Sequence, residues 1–318
     1  MSDIKLFRII KDAPHVEELL AQSAKLEKDL QQLVEPHMET FLGVKFLATE
    51  FTTSNGGRID SLGLDENGCP VIIEYKRHTN ENVINQGLFY YDWLLDHKAE
   101  FQLLVMKVLG TDLADDIEWD GARLICIATD FTKYDEHAIK QIDKNIELMR
   151  YKYFGENLFL LELVNSHLSK KNTVPKQVTA SDVSGVIDQE PQQIKKERSD
   201  YHANRKEAAD STLISLYESV CDFGLSLGDD VQRKELKFYT ALKKIKNFAS
   251  VQVWAPQQDP SLRIYLHLDP DSVELQEGIV NDARNKGHWG TGDLEIIVRN
   301  EQHLEIAKRL IQLSFEKN

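Results

Sequence analysis

A chain of 318 residues, 42% of them hydrophobic, is long enough for two ordinary cores, because domains commonly hold about 100–150 residues. Its formal net charge of −14 excludes a general positive field as the means of holding nucleic acid, so such a partner must meet a locally basic surface. Cys69, Cys126 and Cys221 stand far apart with no CxxC pair, which excludes a disulfide framework and a zinc cluster. No apolar run reaches the roughly 20 residues of a membrane span, and the N-terminus lacks a signal peptide's apolar core. A cytoplasmic protein with no membrane partner is expected.

Leu19, Leu20, Leu26, Leu30, Leu33 and Val34 recur at helical spacing among Glu, Lys and Gln, which predicts a helix or a broken helical pair over 17–41. Three short runs follow, separated by the turn signals Ser54-Asn55-Gly56-Gly57 and Asp65-Glu66-Asn67-Gly68; they predict an antiparallel meander of three strands. Helical spacing resumes over 81–109, a buried strand is expected at 123–130, helical spacing returns over 134–152, and 157–164 closes with a strand. Between 169 and 210 the apolar content collapses, which predicts a polar linker, helical near its end. Beyond it the pattern predicts helices at 211–227 and 232–246 and strands near 250–254 and 262–268. The motif 287–295 leads into a further strand, and a last helix runs over 301–315. The expected domains are 1–168 and 211–318, the second of α+β type.

The strand Val71-Ile72-Ile73-Glu74-Tyr75-Lys76 carries the chemistry. Alternation places Glu74 and Lys76 on one face and Ile73 and Tyr75 on the other. Two charges at the end of so apolar a strand are costly unless wetted, paired or bound to metal. An isolated Glu-x-Lys is ordinarily a surface pair; here Asp60 stands across the Asp65–Gly68 turn, where the two carboxylates can converge. Hard divalent cations take oxygen ligands, and one or two carboxylates with waters and a substrate phosphate suffice. Lys76 is then placed to hold an attacking water or offset transition-state charge.

Gly57-Arg58-Ile59-Asp60 followed by Glu74-Tyr75-Lys76 resembles the signature of the PD-(D/E)XK nuclease superfamily, and residues 20–165 are most similar to its NucS-type endonuclease domain. The resemblance implies an α/β, restriction-endonuclease-like αβββαβ core, a mixed sheet flanked by helices. It implies that Asp60 and Glu74 are metal ligands with the Tyr75 backbone carbonyl, and that Lys76 is the catalytic lysine. Glu27 matches a helical glutamate that helps bind metal in related nucleases, with Glu35 and Glu39 as fallbacks. Gln86 and Tyr90 match a Gln-x-x-x-Tyr element on one helix face; Gln86 would bond the lysine, water or a phosphate, and Tyr90 would contact the strand. Arg58, Arg77 and His78 adjoin these segments and are candidates for flanking phosphates.

Residues 231–318 resemble a small domain of unassigned function that recurs at the C-terminus of nuclease-like proteins. The run 231–248 holds Arg233, Lys234, Lys237, Lys243, Lys244 and Lys246. Read as a helix, it is a candidate phosphate-tracking stripe led by Lys243, Lys244 and Lys246. His288, Asp293 and Glu295 fall in a glycine-punctuated turn, which reads as a structural turn around Trp289 and not as a second metal site.

The expected function is a Mg2+-dependent endonuclease hydrolysing DNA, with Mn2+ able to substitute and RNA still open as substrate. Double-strand cutting would call for a homodimer, the cheapest source of a second site. The alternative is a nuclease fold kept as a nucleic-acid-binding module without cleavage.

Overall fold

The computed structural model describes residues 4–10, 15–79, 82–167, 201–256 and 258–318. The chain divides into two compact units, Met1–Lys171 and Asn172–Asn318. Most of the expected linker, 168–200, lies outside the described residues.

The first unit opens with an antiparallel pair, β1 (Leu6–Ile10) and β2 (His15–Leu19), and a short β3 (Ala21–Gln22). Residues 17–22, expected as the start of a helix, are therefore extended. Val16 and Leu20 are exposed, so no helical face is there to be buried. Helix begins only at α1 (Glu27–Val34), where Leu30 and Val34, four residues apart, bury one stripe. The Asp29 carboxylate accepts the Leu26 N–H at 3.0 Å and satisfies an orphan donor of the first turn. A short α2 (Met38–Leu42) follows.

The meander forms as expected from β4 (Val44–Thr52), β5 (Arg58–Asp65) and β6 (Pro70–Tyr75), paired antiparallel. After it come α3 (Val83–Asp96), α4 (Lys98–Leu109), α5 (Thr111–Asp115), β7 (Arg123–Ala128), α6 (Lys133–Ile139), β8 (Asn145–Phe154) and β9 (Leu158–His167). The single helix expected over 81–109 is broken at His97, whose backbone leaves the helical region (φ −115°, ψ 40°). The sheet runs β3-β8-β7-β6-β5-β4, with β9 also pairing β8. β6, β7 and β8 are mutually parallel, so the sheet is mixed. Ile72, Leu124, Cys126, Ile146 and Leu148 pack with Tyr91 and Leu94 of α3 and Phe101 and Val105 of α4. α3 lies so close to β7 that a Cβ at Gly87 would come within 2.5 Å of Leu124.

Residues 145–152 were expected to be helical and form β8 instead. A central strand is buried on both faces and loses the two-residue alternation that identifies strands. Its interior charges are matched: Arg123 on β7 is ion-paired to Glu147 at 2.7 Å and to Asp65 at 2.9 Å, all three side chains at 3% exposure or less. Arg150, itself buried, meets the partly exposed carboxylates of Asp130 and Glu162.

The second unit has six antiparallel strands: β10 (Gln232–Glu235), β11 (Thr240–Lys243), β12 (Asn247–Trp254), β13 (Ser261–Leu266), β14 (Val280–Asp282) and β15 (Leu294–Val298), in the order β10-β11-β12-β13-β15-β14. Helices α8 (Ser211–Ser226) and α9 (Glu301–Lys317) close one core with Val251, Ile264 and Ile296. The expected helix over 232–246 is a hairpin, β10 against β11. The end of the expected linker is α7 (Tyr201–Ala208). It is fixed to this unit by His202, whose N–H donates to the Lys237 carbonyl at 2.9 Å and whose Nε2 accepts from Val253 N at 3.3 Å.

Candidate active site

The β5–β6 turn sets the register that assembles the site. The Asp65 carboxylate accepts the N–H groups of Asn67 and Cys69, both at 2.9 Å, an Asx turn, and its other oxygen is held by Arg123. With the turn so fixed, Ser61 stands opposite Ile73, and one residue further Asp60 faces Glu74. Here the ladder changes character. The Asp60 N–H donates to Glu74 Oε1 at 3.2 Å, and the Tyr75 N–H donates to Asp60 Oδ2 at 3.0 Å. Meanwhile β6 continues its bond to β7 through Lys76 N and the Ile127 carbonyl at 2.9 Å. Carboxylates thus replace backbone carbonyls where β5 and β6 part.

Their environment is electrostatically uneven. Glu74 is 0% exposed, and its Oε2 has no hydrogen-bond partner among the described residues. Burial, reinforced by the Asp60 carboxylate, pushes Glu74 up to about 9; burial also raises Asp60, against the opposing pull of the Tyr75 N–H and Lys76. Two like charges in so little water each disfavour the other's ionisation. An oxygen without a partner beside a second carboxylate is a donor set suited to a hard divalent cation. No group of three or more His, Cys, Asp or Glu positioned for a metal occurs among the described residues.

Glu27, from the first turn of α1, reaches the same place, but it meets the cation side of the site. Its Oε2 lies 3.7 Å from Lys76 Nζ and its Oε1 accepts Arg77 N at 3.3 Å. Gln31, one turn along on the same face, was not singled out from sequence. Its amide reaches the Asp60 carbonyl at 2.8 Å, Thr49 and Glu35, and its i, i+4 relation to Glu27 was the available signal. Glu35 accepts the Ser61 hydroxyl at 2.7 Å, and Glu39 is exposed. Glu50 was also missed. Among described non-glycine residues it is the one with positive φ, at 50°. It pairs with Arg58 at 2.7 Å and adds to the field that raises Asp60. Strain of this kind, about 1–3 kcal/mol, persists only where surroundings enforce it.

Gln86 and Tyr90 meet each other on one face of α3. Gln86 Nε2 donates to the Tyr90 hydroxyl at 3.2 Å, and that oxygen also accepts Arg58 N at 3.3 Å. Tyr90 is 6% exposed and packs under Gly57, where a Cβ would lie 2.4 Å from its ring. It therefore anchors the start of β5 and is not free to stack on a base. Tyr91 and Trp93 are likewise core.

The expected lysine stripe does not form. Because 232–243 forms a hairpin and not a helix, two of its lysines are buried, Lys234 at 3% and Lys243 at 2% exposure. Lys244 pairs with Asp230 at 3.8 Å and lies over the Phe315 ring, and Arg233 is held by Glu218 and Glu235. Lys243, Lys244 and Lys246 do not form one helical face. Both ring nitrogens of His288 face backbone carbonyls, of Lys286 and Gly292, and its ring stacks on Tyr265, so it is a turn residue.

No helix among the described residues is long and apolar enough to cross a membrane. No protein-family model matches the chain. Among solved structures, a repair endonuclease from Pyrococcus abyssi overlaps with 18% identity and a TM-score of 0.28, over 41% of this chain and 48% of that one. A structure of an EndoMS complex with double-stranded DNA overlaps with 16% identity and a TM-score of 0.29, over 46% of this chain and 65% of the other. In sequence, an uncharacterized protein of Haemophilus influenzae is 30% identical over 300 residues, spanning 93% of this chain and 94% of that protein. The chain belongs to one family with that Haemophilus influenzae protein, which it matches across both of its units.

Proposed function

We propose that this chain is a divalent-metal-dependent nuclease of PD-(D/E)XK type that hydrolyses DNA phosphodiester bonds. The observation that carries the reading is the interlock of Asp60 and Glu74 through backbone N–H groups, with Glu74 Oε2 left without a partner among the described residues and Lys76 one residue beyond Tyr75. Asp60, Glu74 and the Tyr75 carbonyl would hold Mg2+, or Mn2+ in its place, and Glu27, here paired with Lys76, would join a second ion only by giving up that pair. When bound, such an ion supplies Lewis-acid polarisation of a phosphoryl oxygen and a more acidic water.

The chain's own residues then have separate tasks. Lys76, steadied by Glu27, carries positive charge toward the developing charge on the phosphoryl group. Gln31 holds the Asp60 backbone carbonyl, and the Tyr75 N–H holds the Asp60 carboxylate. Gln86 and Tyr90 hold the Arg58 backbone, and with it the start of β5. Arg58 and Arg77 lie on either side of the carboxylate pair in the chain and supply donors for neighbouring phosphates.

The test is direct. Labelled single-stranded, duplex and branched DNA, with an RNA strand alongside, is incubated with the purified protein in Mg2+, Mn2+ or EDTA. Metal-dependent shortening of a DNA substrate is the expected result. Retention of nucleic acid with no cleavage under any metal would replace this reading with that of a binding module.

A further inference from the structure

The first unit has a cavity of about 220 Å3 lined by Ala21, Gln22, Ser23, Arg77, His78, Thr129, Tyr151 and Lys152, tied to the candidate site through Glu27, which accepts the Arg77 N–H and pairs with Lys76. It sits past the C-terminal ends of the parallel strands β6 and β7, with Arg77 following the first and Thr129 the second. That is where open α/β sheets receive ligands. In a chain with net charge −14, this lining holds an arginine, a lysine and a histidine and no carboxylate.

Its guanidinium donor is unspent. Arg77 Nε is buried and has no hydrogen-bond partner among the described residues. The Arg77 backbone is committed, its N–H to Glu27 and its carbonyl to the Thr129 hydroxyl at 3.1 Å, so the residue is fixed while its guanidinium is not. Tyr151 accepts Ala24 N at 3.3 Å, which leaves its own O–H to donate; burial raises this phenol, and it keeps its proton at neutral pH. No ion pair within 4.0 Å forms on Arg77, His78 or Lys152 among the described residues. A buried donor without an acceptor is costly, and a planar guanidinium beside an ammonium is a fork for a tetrahedral oxyanion. The volume is below the roughly 300–1,000 Å3 of sites that enclose drug-sized ligands, which fits a phosphate group and not a whole nucleotide.

We propose that this cavity is a phosphate pocket, seating a phosphate of the nucleic-acid strand next to the one held at Asp60, Glu74 and Lys76. The proposal rests on the nuclease reading for the identity of the strand, but not for the binding of phosphate itself. A terminal phosphate monoester and an internal phosphodiester share this chemistry, and the experiment separates them.

The full chain is titrated in EDTA with inorganic phosphate against sodium chloride at matched ionic strength, with thermal protection and calorimetric affinity as readouts. Wild-type protein should be protected by phosphate beyond chloride, and Lys152→Gln and the exposed-site His78→Gln should each weaken phosphate at least tenfold. Protection equal to that of chloride, or unchanged affinity in both variants, overturns the pocket. In the second arm, also in EDTA, strands ending in 5′-phosphate, 3′-phosphate or hydroxyl are bound by wild type and Lys152→Gln. A tenfold preference for one phosphorylated end that the variant loses assigns the terminal monoester; equal weakening of all three assigns the internal diester. Unchanged binding of all three overturns the proposal. Because neither arm involves cleavage, a protein that binds phosphate as described and cuts nothing would lose the nuclease reading and keep the pocket. One that cuts normally and fails the phosphate titration would lose the pocket alone.

Discussion

Asp60 and Glu74 act as a pair because each accepts a backbone N–H from the other's neighbourhood, Glu74 from Asp60 itself and Asp60 from Tyr75. Such a pair is expensive without a cation, so Glu74→Gln should abolish metal-dependent cleavage while leaving the melting temperature in EDTA unchanged or higher. Matched cleavage assays and melts check this, and a parallel loss of fold and activity would mark Glu74 as a structural residue. Lys76→Ala should behave differently, retaining metal binding but lowering the single-turnover rate by on the order of 10²–10⁴-fold. An undiminished rate removes Lys76 from the site. Asp60, Glu74 and Lys76 were legible because strand alternation and one turn suffice to bring them together. Glu50 was not, since a left-handed φ at a glutamate has no sequence signal. The depth of Tyr90 was equally hidden, because it depends on the close approach of Gly57.

At the scale of elements, sequence misread three strand segments as helix and ran two helices together across His97. β8 carries Glu147 and Arg150 inside the sheet and so shows no clean apolar stripe, and the lysines of β10 and β11 mimic a basic helical face. The meander was readable because its turns announce themselves. The Arg123 triad bridges β7, β8 and the β5–β6 turn, so Arg123→Leu would strand two buried carboxylates. It should destabilise the first unit by about 3–5 kcal/mol, measured by urea unfolding; a loss under about 1 kcal/mol would show that the triad does not hold the register. In the second unit, burial and then Lys206 hold His202 down to about 4. Between about 6.5 and 4 the unfolded chain binds a proton that the folded chain refuses, so stability must fall as pH falls, by roughly 1.4 kcal/mol per pH unit at most. Burial opposes ionisation of Glu235, yet the Lys206 and Arg233 cations hold it down to about 2, and its stabilisation is lost only below its ordinary value of 4.5. Within the second unit the window from pH 6.5 to 5 therefore belongs to the histidine, while Glu74 of the first unit, raised to about 9, contributes the opposite slope across the same window, so the comparison is made on the unfolding of the second unit. His202→Gln should flatten the fall in that window, and an unchanged slope would exclude His202 as its source.

At the scale of the whole molecule, each unit has its own core, and every residue of the candidate site and of the phosphate pocket lies between Ala21 and Lys152. The division into two units was readable from the collapse of apolar content after residue 168, whereas the net charge said nothing about where cations would gather. It was natural to expect the densest basic run of the second unit to grip DNA. The hairpin removes that expectation, because Arg233 and Lys244 face carboxylates of the same unit and Lys243 is buried. Charges neutralised within the fold release few counterions from DNA. Each phosphate that a protein does neutralise contributes about 0.7–0.9 to the log–log salt slope. A chain ending at Lys171 should therefore fold, cut in a metal-dependent way, and keep the single-turnover rate of the full protein at saturating concentration. Its salt slope should stay within about one phosphate's worth of the full-length value. A truncated chain that melts cooperatively but does not cut would show that the second unit completes the site. A slope lower by several units would show that the second unit holds phosphates through residues other than the Arg233–Lys246 hairpin.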